Sequence, residues 1–461
     1  MSTSESAAGT PCQPGGELPS SVANAASSDP VSEGRQWTPL WSRGFCGFVA
    51  TQFFGAFNDN LFKQLLLLLA VPSAAAIAAG AEAGPDLQGV ATIVFGLPFV
   101  VLAGIAGFLS DRTSKRSIII ASKSAEIVVM VLGTAAFLAT PWVGFYGLWV
   151  VLFLMGLQST FFGPAKYGIL PEMLHEQQLP RANGVILMTT FVAIIIGTAV
   201  AGPLKDALVD PAVPGIQASQ QLWMASLVCI GIAVVGTVCS LVLPRVHVAE
   251  PGLTFRKEYL LIPKPMLELL RRDRPLLLAL FASCLFWLIA GLTIQAVNSL
   301  GKTQLQLSDT KTSLMVSLIS VGIAGGGLAA GYLTRRLSSG TVVVWGMWGV
   351  VIFCAILSIS LPGGKHLLGF IGSIPMLMLM GAAAAFFAIP IQVFLQSRPP
   401  EELKGRMIAI MNQANFLAIV ISGVLYIALD QLITATGLPR SALFGAMAIL
   451  FLPLAVFYRM R

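Results

Sequence analysis

The chain has 461 residues, 56% hydrophobic and 11% charged, with a formal net charge of +7 and a mean hydropathy of +0.82. A soluble fold of this length could not cover so much apolar surface, so the composition excludes one and indicates an all-α polytopic membrane protein. The positive charge is then loop charge and implies no nucleic-acid partner.

Residues 1–43 are rich in Ser, Ala, Gly and Pro and lack apolar periodicity, which predicts a disordered tail. The tail has no basic segment followed by an apolar one, so a cleavable signal peptide is not expected and the first span directs insertion. That span, Phe45 to Val71, carries the polar cluster Asn58, Asp59, Asn60 and Lys63 in its middle. A carboxylate there costs roughly 2.5–3.5 kcal/mol on insertion scales and needs an offsetting partner. Gln52, Gly55, Asp59 and Lys63 recur at helical spacing and form one stripe, which must face protein or a cavity. Two readings follow: Asp59 and Lys63, four apart, neutralise each other, or they form a substrate or ion site.

Twelve spans are expected near 45–71, 87–109, 117–139, 143–165, 183–204, 221–243, 275–299, 312–333, 341–361, 367–395, 407–429 and 441–458. With the N-terminus inside, loops and ends from Arg43 onward place 20 Lys and Arg on the inner side. The outer side has five: Lys205, Lys302, Lys311, Lys365 and Arg440. This asymmetry predicts cytoplasmic termini. The basic connection 244–274 separates six spans (44–243) from six (275–461), and its charge suits an anchor on anionic lipid. GFLSDR at Gly107–Arg112 recurs as GYLTRR at Gly331–Arg336, and Arg181 with Phe191, Ala193 and Ile194 is echoed by Arg406 with Phe416, Ala418 and Ile419. Such repetition at equivalent positions suggests two bundles related by duplication.

Other polar residues inside spans divide unevenly. The first half holds Lys123 and Glu126, read as a pair at a helix start, and Lys166 at the end of span four. Lys166 follows Pro164, expected to interrupt the helix. It reads either as a point charge for a phosphate or as a snorkelling inner-side lysine. The second half offers amides: Gln295, Asn298, Gln392, Gln396, Asn412, Gln413 and Asn415. The run Gly322, Gly325, Gly326, Gly327, Gly331 reads as close helix packing. The six cysteines have no metal spacing, and no metal or cofactor is expected. None of His175, His247 and His366 has an Asp four or five residues later, and no serine elbow appears, so catalysis is not expected.

The segment Gly107, Asp111, Arg112, Lys115 and Arg116 between spans two and three resembles the signature loop of the major facilitator superfamily, with Ser114 where Gly is usual. The resemblance implies twelve transmembrane helices in two six-helix bundles and a cytoplasmic latch formed by this loop. AFNDN at Ala56–Asn60, GPAKYGILPE at Gly163–Glu172, RANG at Arg181–Gly184, LFW at Leu285–Trp287 and IPIQVFLQ at Ile389–Gln396 are together similar to the lysophospholipid transporter (LplT) family. They also resemble the transporter domains fused to acyltransferase and acyl-carrier-protein synthetase modules. One departure is Ile294-Gln295, where LplT-like members can carry a basic residue. The resemblance implies a monomeric flippase of the bacterial inner membrane moving lysophospholipids from outer to inner leaflet, with a separate acyltransferase as possible partner. Asp59, Lys63, Lys166, Asn58, Asn60, Gln295, Gln392 and Asn412 are its expected substrate-binding residues. The alternative is a major facilitator exporter of drugs or other amphiphiles.

Overall fold

The computed structural model describes residues 39–73, 77–78, 80, 84–210, 213, 215–246, 248, 252–254 and 264–458. Most of the expected tail and part of the 244–274 connection lie outside them. Long helices are α1 (Arg43–Ala70), α2 (Gln88–Arg112), α3 (Lys115–Val143), α4 (Tyr146–Gly168), α5 (Leu179–Leu208) and α6 (Trp223–Leu241). After the short helix Lys264–Arg272 come α7 (Arg274–Ser299), α8 (Asp309–Leu333), α9 (Ser339–Leu357), α10 (Gly369–Ser397), α11 (Glu401–Thr436) and α12 (Ala442–Phe457). Each expected span falls on one of them. Among the described residues, ten helices are long and apolar enough to cross a membrane. The others are α1, whose apolar run is broken by its polar cluster, and α12, which has 16 residues.

Helix limits follow local chemistry. The Ser42 hydroxyl accepts from Phe45 N at 3.2 Å, starting α1, and Asp273 accepts from Leu276 N, starting α7. Gly437, in the left-handed region at φ 67°, ends α11. Pro164 does not interrupt α4, contrary to expectation: the helix runs on to Gly168. Pro costs less in an apolar helix packed among others, where neighbours can satisfy the freed carbonyl.

α1 to α6 pack around one set of apolar residues that includes Phe62, Phe137 and Leu152. α7 to α12 pack around another, including Phe387, Phe444 and Phe451. The halves meet where α2 runs along α11 and α5 along α8. These two pairs are equivalent under the proposed duplication, which exchanges α2 with α8 and α5 with α11. The repeated loop motif also repeats its local contact: Arg112 lies 5.8 Å from the Phe108 ring and Arg336 4.8 Å from that of Tyr332. Small residues set the closest approaches. A Cβ on Gly202 would overlap the Asp309 backbone, and one on Gly322 or Gly326 would meet the backbone of Met378 or Ala382 on α10.

Candidate functional site

Three polar patches lie inside the first half. In the first, α3 carries a buried ion pair, Lys123 Nζ to Glu126 Oε2 at 2.6 Å. Glu126 Oε1 accepts from Asn58 Nδ2 of α1 at 2.7 Å. Lys123 Nζ sits 4.8 Å from the Phe162 ring centre, in space that a Cβ on Gly55 would fill. The pairing of Lys123 with Glu126 is as expected, but its place is not. α3 starts at Lys115, so the pair lies roughly 12–16 Å inside the helix, buried and tied to α1.

The second patch surrounds Asp59. Ser159 Oγ donates to Asp59 Oδ2 at 2.7 Å and Gln158 Nε2 to Oδ1 at 3.4 Å, both from α4. Lys63 Nζ instead lies 5.3 Å from the Phe95 ring centre on α2. Among the described ion pairs none joins Asp59 to Lys63, so the two are near neighbours and not a closed pair. Asn60 donates to the Ala56 carbonyl of its own helix.

The third patch holds Lys166. Its Nζ is 3.3 Å from Thr190 Oγ1, which donates to Gln52 Oε1 at 2.9 Å. Gln52 is fixed by its amide donating to Thr189 Oγ1 at 2.9 Å. Lys166 is 8% exposed, and among the described residues no carboxylate lies within ion-pair distance of it. Lys123 and Glu126 cancel, and Asp59 offsets Lys63, so Lys166 leaves this interior with one net positive charge. A buried, uncompensated ammonium is costly, and an anionic ligand would offset that cost.

The amides of the second half scatter. Gln392 and Asn412 are exposed, Asn415 accepts from Ser283, and Gln413 donates across the halves to the Val100 carbonyl at 2.8 Å. Gln295 lies away from the charged patches, at the seam described next.

That seam, at the end of the bundle opposite the basic loops, was not anticipated from sequence. Asp309 at the start of α8 meets Lys205 of α5 at 2.6 Å and Lys302 at 2.9 Å. Both ammoniums also reach the Leu68 carbonyl of α1, at 3.5 and 2.9 Å. Asp206 accepts from the backbone N–H groups of Asp309 and Thr310, anchoring a carboxylate at a helix N-terminus. A second chain crosses from Gln64 Nε2 to Asn298 Oδ1 (2.9 Å) and from Asn298 Nδ2 to Gln88 Oε1 (3.0 Å). Gln88 Nε2 lies within 3.3 Å of the Gln295 carbonyl and Asp86 Oδ2, and Tyr426 Oη donates to Asp86 Oδ2 at 2.7 Å. At the basic end, by contrast, a Cβ on Gly107, Gly163, Gly184, Gly331 or Gly405 would meet nothing within 4 Å. The seam thus closes the end opposite the basic loops, while these glycines leave looser packing at the basic end.

Three motif residues of the basic loop make their contacts within the first half. Lys115 pairs with Glu172, Arg116 donates to the Leu243 and Leu241 carbonyls at the end of α6, and Arg112 lies over Phe108.

Asp86 precedes α2 and gives the seam a pH dependence. Burial pushes its carboxyl up to about 6, with hydrogen bonds from Tyr426 and Gln88 pulling down and Asp430 adding repulsion. Asp430 is itself paired with Arg440. Since the usual value is 3.8, the closed seam favours the protonated acid. Closure is therefore strongest below the usual value and weakens as pH rises towards about 6. Spin labels at Ala207 and Lys311, flanking the seam, should report a closed fraction that falls between pH 4 and 6 and then levels off. Asp86→Asn should flatten that curve.

Comparison with known proteins fits this architecture. The family model described as Major Facilitator Superfamily matches residues 45–423. The chain is 28% identical over 418 residues to the lysophospholipid transporter LplT of Enterobacter sp. (strain 638), covering 87% of this chain and 91% of that one. It is 27% identical over 388 residues to LplT of Yersinia pestis (strain Pestoides F), covering 81% and 84%. Among solved structures, the nucleoside transporter NupG superposes with a TM-score of 0.63 at 13% identity, over 90% of this chain and 97% of its own. The inward-open xylose transporter XylE from E. coli does so with 0.62 at 12%, over 91% and 97%.

Proposed function

The chain belongs to the major facilitator superfamily, and we propose that within it the protein carries lysophospholipids such as lysophosphatidylethanolamine across a bacterial inner membrane by alternating access. The similarity to LplT proteins supports this reading. The observation that carries it is the net cation of the first half's interior: Lys166, buried and with no carboxylate partner among the described residues, in the same half as the separate Asp59 and Lys63 patch. A zwitterionic head group matches this set, its phosphate meeting Lys166 or Lys63 and its ammonium meeting Asp59. The single acyl chain lies against the more apolar second half. Gln392 and Asn412 on that side, with Asn58 and Asn60 beside Asp59, complete the proposed substrate surface. Gln295 joins it when the seam opens.

The excess of basic residues in the loops supports a cytoplasmic position for that end of the bundle and for both termini. Substrate taken from the outer leaflet is then released inward, where a separate acyltransferase consumes it. Gly107, Asp111, Arg112, Lys115 and Arg116 form the cytoplasmic latch that closes when the outer seam opens. A cationic-drug exporter fits the net positive interior less well.

In liposomes loaded with fluorescent lysophosphatidylethanolamine, Lys166→Gln and Asp59→Asn should each slow transport about tenfold or more. That is the loss expected for one charge-assisted contact of roughly 1.5–3 kcal/mol. Wild-type rates from both variants would overturn the site assignment.

A further inference from the structure

A groove separate from this interior opens on the flank of the second half. It encloses about 680 Å³ between the start of α7, the end of α10 and the end of α12. Its walls are apolar, with Leu278, Phe281, Phe394, Leu450 and Phe457 among them, and Arg274 stands at its mouth. Phe281 and Phe457 are exposed, so the groove faces the surface that lipid covers and not the seam between halves.

Charge at the mouth is the informative feature. Arg274 is the first residue of α7, where the helix dipole disfavours a cation. The nearest carboxylate by sequence, Asp273, is already engaged: it accepts from Leu276 N at 3.1 Å and pairs with Arg398 at 2.6 Å. Arg398 in turn lies over Phe394, a wall of the groove. Among the described residues no carboxylate pairs with Arg274, and Arg271 and Arg272, also exposed, stand one turn before it. An apolar trough thus ends in a guanidinium that lacks an anion, at the level where the basic loops meet the head groups.

We propose that this groove binds one anionic diacyl phospholipid of the cytoplasmic leaflet, with an acyl chain along Leu278, Phe281 and Leu450 and the phosphodiester on Arg274. A guanidinium fork offers a phosphate two parallel donors, and local anionic lipid favours basic residues at this depth. The site is lateral, so it holds a resident lipid and not the transported one.

The purified full-length protein in detergent should retain phosphatidylglycerol over phosphatidylethanolamine of the same chains by at least fivefold in native mass spectrometry. Arg274→Gln should lower that preference at least threefold. Leu278→Trp, which fills the trough, should reduce retention of both lipids, while Lys311→Gln at the opposite end should change neither. A readout that needs no variant accompanies these: phosphatidylglycerol should raise the melting temperature of the wild-type protein, and glycerol phosphate, which lacks chains, should not. Equal retention of the two diacyl lipids, or an unaltered preference in Arg274→Gln, would overturn the proposal. So would displacement of phosphatidylglycerol by lysophosphatidylethanolamine at equal concentration, which would make the groove part of the transport route.

Discussion

Replacing Glu126 with Ala should cost about 3–5 kcal/mol of stability, the usual penalty for breaking a buried ion pair by removing one partner. Lys123 would be left as an uncompensated ammonium beside the Phe162 ring, and Asn58 would lose the acceptor that ties α1 to α3. Most of the loss should come from the stranded charge and not from the lost attraction, since replacing both partners with apolar groups can be nearly neutral. The double variant Lys123→Met, Glu126→Leu should therefore recover most of the melting temperature in detergent that Glu126→Ala loses. If the double variant is no more stable than Glu126→Ala, the cost lies in packing and the electrostatic account fails. Transport should separate the roles: a double variant that folds but carries lysophospholipid poorly would mark the pair as part of the substrate surface.

Asp309→Ala should open the end that is now shut. Lys205 and Lys302 share this one carboxylate, and both are nearly buried. Without it two ammoniums face each other with only the Leu68 carbonyl between them. The closed seam should lose about 3–5 kcal/mol relative to an arrangement that lets both lysines reach water. A shift of that size changes a two-state population more than a hundredfold. Spin labels at Ala207 and Lys311 in a background without native thiols should show the distance distribution move outward. Asp309→Glu should move it far less. An unchanged distribution in Asp309→Ala would show that the close backbone approach at Gly202 holds the seam by itself.

How much of this was legible in the chain depends on where each polar residue sits. The long apolar helices were readable because the membrane imposes long apolar runs, and each expected span falls on one of the long helices described. Asp59 and Lys63 stood out for the same reason. Their spacing allowed either mutual neutralisation or a site, and spacing carries no rotamer information: Asp59 turns to Ser159 on α4 and Lys63 to Phe95 on α2. The Lys123–Glu126 pair was visible, yet its depth was not, because α3 extends to Lys115. The seam was illegible for a different reason. Lys205, Asp206, Lys302 and Asp309 lie at span ends, where charges are ordinary, and the partners are some hundred residues apart. One signal did exist: only five basic residues fall on that side, and two of them, Lys205 and Lys302, are the seam's lysines.

Leu68 and Asp59 belong to the same unbroken helix. The carbonyl that receives both seam lysines and the carboxylate proposed to meet the head group are nine residues apart on α1, about 13 Å along a single rod. Gln64, which reaches Asn298, lies between them. An axial shift of α1 on head-group binding at Asp59 would therefore be felt at the Leu68 carbonyl that both lysines reach. In that arrangement α1 would act as a push-rod between mid-membrane and the far closure, with the residues between Asp59 and Leu68 as its length.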